Sequence, residues 1–286
     1  DSTDVQFDDA DLDWSPSVDT GYPQRLAQLD TSDSLAGVGA REFPTHLRIL
    51  PSDWKEAARQ NDTNNTWPDS YRNRFTNQHP THECTCHALA QNYEIAWNRQ
   101  RAGKGSAVYV SPLSIYSEAN PQQWGGSTMM RTIGICINRG FLPEHNGPDG
   151  SDAQKQRFHH TLHQTSGHSA TSGGPWIPVR RFPSGWEKTA RHFRADEVIN
   201  PRSYDQIVCM LLHGIAVSVG RSGHAIPYVA VVWRSGELFA KYADSYDVCR
   251  YDSVRMMRSA VGGAYGIVST TIPDDWSRPA GDDMRQ

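Results

Sequence analysis

Asn77-Gln78-His79-Pro80-Thr81-His82-Glu83-Cys84-Thr85-Cys86-His87-Ala88-Leu89-Ala90 is the stretch on which the reading of this chain turns. From Cys84 to Gln100, Leu89, Tyr93, Ala96 and Trp97 recur at helical spacing, and Arg99, Gln100 and Arg101 precede Gly103 as a stop signal. The spacing predicts a long helix that opens at Cys84. Unsatisfied N–H groups and the positive dipole end at a helix N-terminus favour thiolate over thiol, so a cysteine there is a candidate nucleophile. Gln78 stands six residues upstream, on a stretch that can fold back so that its amide donates to an oxyanion forming beside the sulfur. Cys86 is the rival thiol, but it lies about 200° round the helix from Cys84, so only one of the two faces a common cleft. The interval from Gln78 favours Cys84. Glu83 works against this chemistry: a carboxylate beside a thiol raises its pKa unless it points to solvent or pairs with a base.

The base for such a thiol comes from elsewhere in the chain, adjacent in space and not in sequence. Ser222-Gly223-His224-Ala225 leads into a β-rich run, Ala225 to Trp233, which Arg234-Ser235-Gly236 joins to a second run from Glu237 to Ala243. Asp244 closes that second run. Across an antiparallel hairpin the start of one strand lies beside the end of the next, so Asp244 is placed to orient His224 and stabilise its imidazolium. The expected catalytic order is Cys84, His224, Asp244.

The chain has 286 residues, enough for one large domain or two modest ones. Aromatic residues make up 10% and the formal net charge is only −4, which excludes disorder throughout. With 28 Lys+Arg against 32 Asp+Glu there is no global basic field, so nucleic acid is not an expected partner. The longest apolar runs, Ile207 to Leu212 and Tyr228 to Trp233, fall far short of the ~20 residues that span a bilayer, so no membrane partner is expected either. No charged-then-apolar signal peptide and no Met opens the sequence, which is read as a soluble, processed or trimmed chain of unspecified compartment. Five cysteines cannot all pair, which argues against a disulfide scaffold and leaves at least one free thiol. No metal or cofactor is expected. Cys84 and Cys86 with His82 and His87 lack a second ligand pair at zinc spacing. His159 and His163 sit at i, i+4 without the Glu a zincin helix needs, and together with His160 and His168 they read as a solvated loop.

Along the chain, residues 1–66 are polar and turn-rich, with an acidic start from Asp1 to Asp13. They are expected to form an extended arm with one short helix near Trp54 to Arg59, able to tether the protein in a larger assembly. Residues 67–286 are expected to form the folded domain, interrupted by an irregular Gly-, Ser- and His-rich insertion at about 145–201. Further helices are expected over Ser114 to Glu118, Ser127 to Asn138 and Ser203 to His213, and a strand over Ile215 to Gly220. Helices first and antiparallel strands last make an α+β order.

These pieces together resemble the papain-like cysteine peptidase superfamily. Gln78 six residues before Cys84, with Cys84-Thr85-Cys86-His87-Ala88 at the helix head, is similar to the family's oxyanion Gln and nucleophile. Ser111-Pro112-Leu113-Ser114-Ile115-Tyr116 resembles the segment after that helix. Gly125-Gly126-Ser127 resembles the Gly pair whose backbone binds the substrate strand, and Gly140-Phe141-Leu142-Pro143 the end of the next helix. Asp244-Ser245-Tyr246 stands where the family has Asn-Ser-Trp. The resemblance runs from about Trp67 to Ile272. It implies a two-lobe fold, helical then β-rich, with a cleft between the lobes, and hydrolysis of a peptide or protein substrate. Gly125 and Gly126 would line the cleft. Two other uses of such a fold stay open: a catalytically silent binding or structural module, for example in a virion, and transglutaminase-like acyl transfer.

Overall fold

A computed structural model describes residues 39–64, 83–100, 110–119, 127–142, 186–221, 223–244 and 248–271. Their elements run in the order α1 (Trp54–Asn64), α2 (Cys84–Gln100), α3 (Pro112–Ala119), α4 (Met129–Asn138), α5 (Trp186–Ala190), β1 (Ala195–Ile199), α6 (Tyr204–Leu212), β2 (Val217–Arg221), β3 (His224–Arg234), β4 (Glu237–Asp244), β5 (Val248–Ser253), α7 (Val254–Ser259) and β6 (Ala264–Thr270). The α+β class follows directly. Helix ends fall where the sequence supplies caps: Thr128 accepts from the Arg131 N–H to open α4, and Ser203 accepts from the Gln206 N–H to open α6.

All six strands form one antiparallel sheet in the order β1-β6-β2-β3-β4-β5. Both faces are covered, because successive side chains of a strand point to opposite sides. On β3, Ala225 belongs to a core built by Leu89, Tyr93 and Trp97 of α2, Ile115 of α3, and Ile133 and Cys136 of α4. Ile226 and Tyr228 belong instead to a second core with Trp54 and Ala58 of α1, Met210 of α6, Tyr242 of β4 and Met257 of α7. Arg221 of β2 bonds Asp252 of β5 across β3 and β4, on the face of the second core.

Two stretches expected to be irregular are ordered in part. The described end of the expected arm packs on the body: Arg41 donates its N–H to the Val198 carbonyl at 2.7 Å, and the Asn200 N–H donates to the Arg41 carbonyl at 3.0 Å. The Cys209 thiol and the Ile49 backbone bond each other at 3.3 and 3.4 Å, and the Trp54 indole donates to the Ile49 carbonyl at 3.0 Å. Trp54 is what draws this segment down, since its ring fills the second core against the edge of Tyr204. At the end of the expected insertion, α5 and β1 are regular. Phe193 stacks on Trp97 at 5.2 Å between ring centroids, a long-range anchor that local composition does not reveal.

Candidate active site

Polar ties fix the direction of α2 on the sheet. Ser218 Oγ of β2 donates to the Ala88 carbonyl at 2.9 Å. Asn92 Nδ2 donates to Ser218 Oγ at 3.2 Å and to the Tyr265 carbonyl at 3.0 Å, while its Oδ1 accepts from the Ile267 N–H at 3.3 Å. Further along, Arg99 donates to the Val268 carbonyl at 2.7 Å, and Gln100 Oε1 accepts from the Thr270 N–H at 2.9 Å. The helix therefore runs in the same sense as β6. Since β6 is antiparallel to β2 and β2 to β3, α2 also runs with β3, and their first residues, Cys84 and His224, lie at one end of the molecule. Tyr228 pairs with Tyr242, and Asp244 stands two positions beyond Tyr242 as the last residue of β4. The end of β4 thus returns to the start of β3, the arrangement the hairpin predicts. Gln78, Gly125, Gly126, Tyr246 and the histidines at 159, 160, 163 and 168 lie outside the described residues.

The two thiols at the helix head are not equivalent. Cys86 is fully buried, and Cys84 keeps 7% of its surface. Burial pushes the Cys86 thiol well up, and the charge of Glu83 adds to the rise. Both thiols belong to the first core, and Cys84 is the more exposed of the two. Thr85, between them, is buried too. Its hydroxyl accepts from Thr132 Oγ1 of α4 at 3.3 Å, so a polar tie holds the helix head to α4. Among the described residues Cys84, Cys86, Cys136 and Cys209 are free thiols.

Glu83 does not point to solvent. It is fully buried, and its Oε2 lies 3.9 Å from Nε2 of the equally buried His87. The sequence carries a signal for this pairing that spacing alone could have found, Glu and His at i, i+4. The flanking segments hold by hydrogen bonds as well. Ser114 Oγ of α3 accepts from the Leu142 N–H at 3.0 Å, and the Ser111 N–H donates to the Leu142 carbonyl at 2.8 Å. The buried carboxylate of Glu94 accepts from the Val110 N–H at 2.9 Å.

A polar network joins β2, β3, β4 and β5 on the face of the sheet that carries the second core. Arg221, which pairs with His224 across the β2–β3 turn, bonds Asp252 and donates to the Tyr242 hydroxyl at 3.2 Å, with its guanidinium 5.2 Å from that ring's centroid. The Tyr228 hydroxyl donates to Asp252 at 2.7 Å. Gly223, with φ +79°, makes the tight turn that lets His224 follow Arg221 so closely.

Known structures match this architecture. Digestive procathepsin L 3 of Tenebrio molitor larval midgut aligns with a TM-score of 0.52 at 10% identity, over 87% of this chain and 78% of that one. Procathepsin B S9 from Trypanosoma congolense aligns with a TM-score of 0.50 at 10% identity, over 86% of this chain and 88% of that one. The chain has a papain-like fold. Xylellain, a cysteine protease from Xylella fastidiosa, aligns with a TM-score of 0.48 at 15% identity, over 68% of this chain and 82% of its own. No protein-family profile matches the sequence, and no curated protein matches it either. Among the described residues no helix of this papain-like chain is long and apolar enough to cross a membrane.

Proposed function

We propose that this chain is a cysteine peptidase acting on a peptide or protein substrate. The reading rests on one observation above all: Cys84 heads the helix that spans the papain-like fold, at the end where β3 begins with His224 and β4 finishes with Asp244. In this reading the Cys84 thiolate attacks the scissile carbonyl carbon and His224 takes the thiol proton. His224 then returns it to the leaving amine, which departs as the C–N bond breaks and leaves an acyl-enzyme. Water, deprotonated by the same imidazole, releases the acid and regenerates the thiol. Asp244 orients the imidazole, and Gln78 with the Cys84 N–H holds the oxyanion. The helical layer and the sheet are the two walls of the cleft, and the backbone of Gly125 and Gly126 pairs with the extended substrate.

Cleavage of a peptide library by the full chain, read by mass spectrometry, tests this. Cys84→Ala and His224→Ala are each expected to lower kcat/KM by about 10⁴-fold or more, with the fold retained. Wild-type cleavage that survives Cys84→Ala would overturn the reading. A folded wild type that cleaves nothing would favour a binding module. Products joined to an added amine in place of hydrolysed ends would favour acyl transfer.

A further inference from the structure

A cavity of about 660 Å³ opens on the face of the sheet that carries the second core, where the β3–β4 hairpin, α7 and the starts of α1 and α6 meet. It lies at the far end of β3 from His224, about 30 Å along the strand, so it is not part of the site described above. Its volume is that of a small-molecule pocket, about 300–1,000 Å³. Trp54, Tyr204 and Trp233 line it. A bulge in β3 brings Trp233 there: the register shift between Tyr228 and Ala230 turns Val231 and Trp233 to the face that Ile226 and Tyr228 already occupy. Tyr204 and Trp233 pack against the second core yet stay only half-buried, so each ring keeps surface for another partner. At the lip, Leu50 precedes the lining Pro51, and it is the one exposed large apolar side chain among the described residues.

The charged part of this lining is mainly basic. Arg255 and Arg258, both exposed on α7, stand against one lining carboxylate, Glu237. Arg258 lies over the Tyr204 ring, 5.3 Å from its centroid, and Lys55 over the Trp233 ring at 5.9 Å. Asp205 also acts on Tyr204, from the α6 side. Two of the three rings thus already carry a cation of the protein, and a cationic ligand would meet like charge beside them. An anion with a flat apolar body fits instead. Its ring can stack on the aromatic walls, and a carboxylate matches the planar fork of a guanidinium. We propose that this cavity is a binding site for a flat, ring-bearing organic carboxylate. The inference does not depend on the peptidase reading.

The test is isothermal titration calorimetry of the full chain with naphthoate, with neutral naphthamide and cationic naphthylmethylammonium as comparison probes. One equivalent of naphthoate is expected to bind, about tenfold or more tighter than either comparison probe, and to bind more weakly as salt is added. The double variant Arg255→Gln with Arg258→Gln is expected to lower naphthoate affinity about tenfold or more. Both positions are exposed, so the variant keeps the fold. No binding of naphthoate, equal binding of the three probes, or affinity that the double variant leaves unchanged overturns the proposal. The indole N–H resonances of the wild type supply a second measurement that needs no variant to fold. Those of Trp54 and Trp233 are expected to move as naphthoate is added, while that of Trp97, in the first core across the sheet, stays in place. Unmoved Trp54 and Trp233 resonances overturn the proposal. Cys84→Ala is expected to bind naphthoate as the wild type does, so loss of peptide cleavage and loss of naphthoate binding report on separate sites.

Discussion

Arg221 with Asp252 and Glu83 with His87 are both ion pairs withdrawn from water, yet their carboxylates are held in different ways. Asp252 accepts from the Arg221 guanidinium and the Tyr228 hydroxyl, and Arg221 also reaches Tyr242, so one pair ties β2, β3, β4 and β5 together. Glu83 and His87 approach only to 3.9 Å on a single helix, beyond hydrogen-bond length. A guanidinium keeps its proton at every accessible pH, whereas an imidazole beside a carboxylate holds one that can leave. The first pair therefore fixes geometry near the strand ends that carry His224 and Asp244. The second lies at the helix end that carries Cys84.

The sharpest way to break this contrast is Arg221→Leu. It leaves Asp252 buried without its cation and is expected to cost about 3–5 kcal/mol in urea denaturation, whereas replacing both partners, Arg221→Met with Asp252→Leu, should recover most of that loss. Equal losses in the single and double variants would mean that the arginine acts through packing alone. Tyr228→Phe removes one hydrogen bond to a charged acceptor and should cost about 1.5–3 kcal/mol by the same measurement. It also removes a hydroxyl whose ionisation burial and the Asp252 charge push up.

The helix-head region should show itself in alkaline stability. Cys86 and Cys136 both have thiols raised by burial, Cys86 further by Glu83. The folded state keeps these protons, and the unfolded chain gives them up near pH 8.5, so their contribution is complete below that pH and is lost as pH rises above it. The expected slope is about 1.4 kcal/mol per pH unit for each thiol. Urea midpoints from pH 8 to 10 should fall accordingly, with Cys209, also raised by burial, adding to the fall, and Cys136→Ala should remove one thiol's share of that dependence. An unchanged slope in Cys136→Ala would show that this thiol is not among the raised groups.

Much of this architecture was legible in the sequence because the signals were local. The span of α2 follows from Leu89, Tyr93, Ala96 and Trp97, and the β3–β4 hairpin follows from Arg234-Ser235-Gly236, where Ser235 and Gly236 both take positive φ. What was not legible depends on distant partners. β6 lies in the interior of the sheet, yet Gly266 at its centre reads as a breaker. A Cβ there would displace the terminal methyl of Met210 and approach the Ala216 carbonyl to 3.2 Å, so glycine lets α6 pack close against the strand. β1 carries Asp196 and Glu197 because it is an edge strand, and its pattern resembles a loop. In the site, helix phase says that Cys84 and Cys86 face different ways, and the preference for Cys84 rests on its interval from Gln78, which lies outside the described residues. The burial of Glu83 was not, since a Glu before a helix is usually solvated and only the tertiary structure shows it facing inward with His87.

The central claim is that Cys84, and not Cys86, is a nucleophile activated by His224. The most direct measurement is the rate of alkylation of each thiol against pH, resolved by peptide mass spectrometry, in wild type and in His224→Ala. Cys84 is expected to react well below the free-thiol pKa of about 8.5 and to lose that advantage in His224→Ala, with Cys86 inert in both. Alkylation of Cys84 no faster than that of Cys86, and unchanged by His224→Ala, would contradict it.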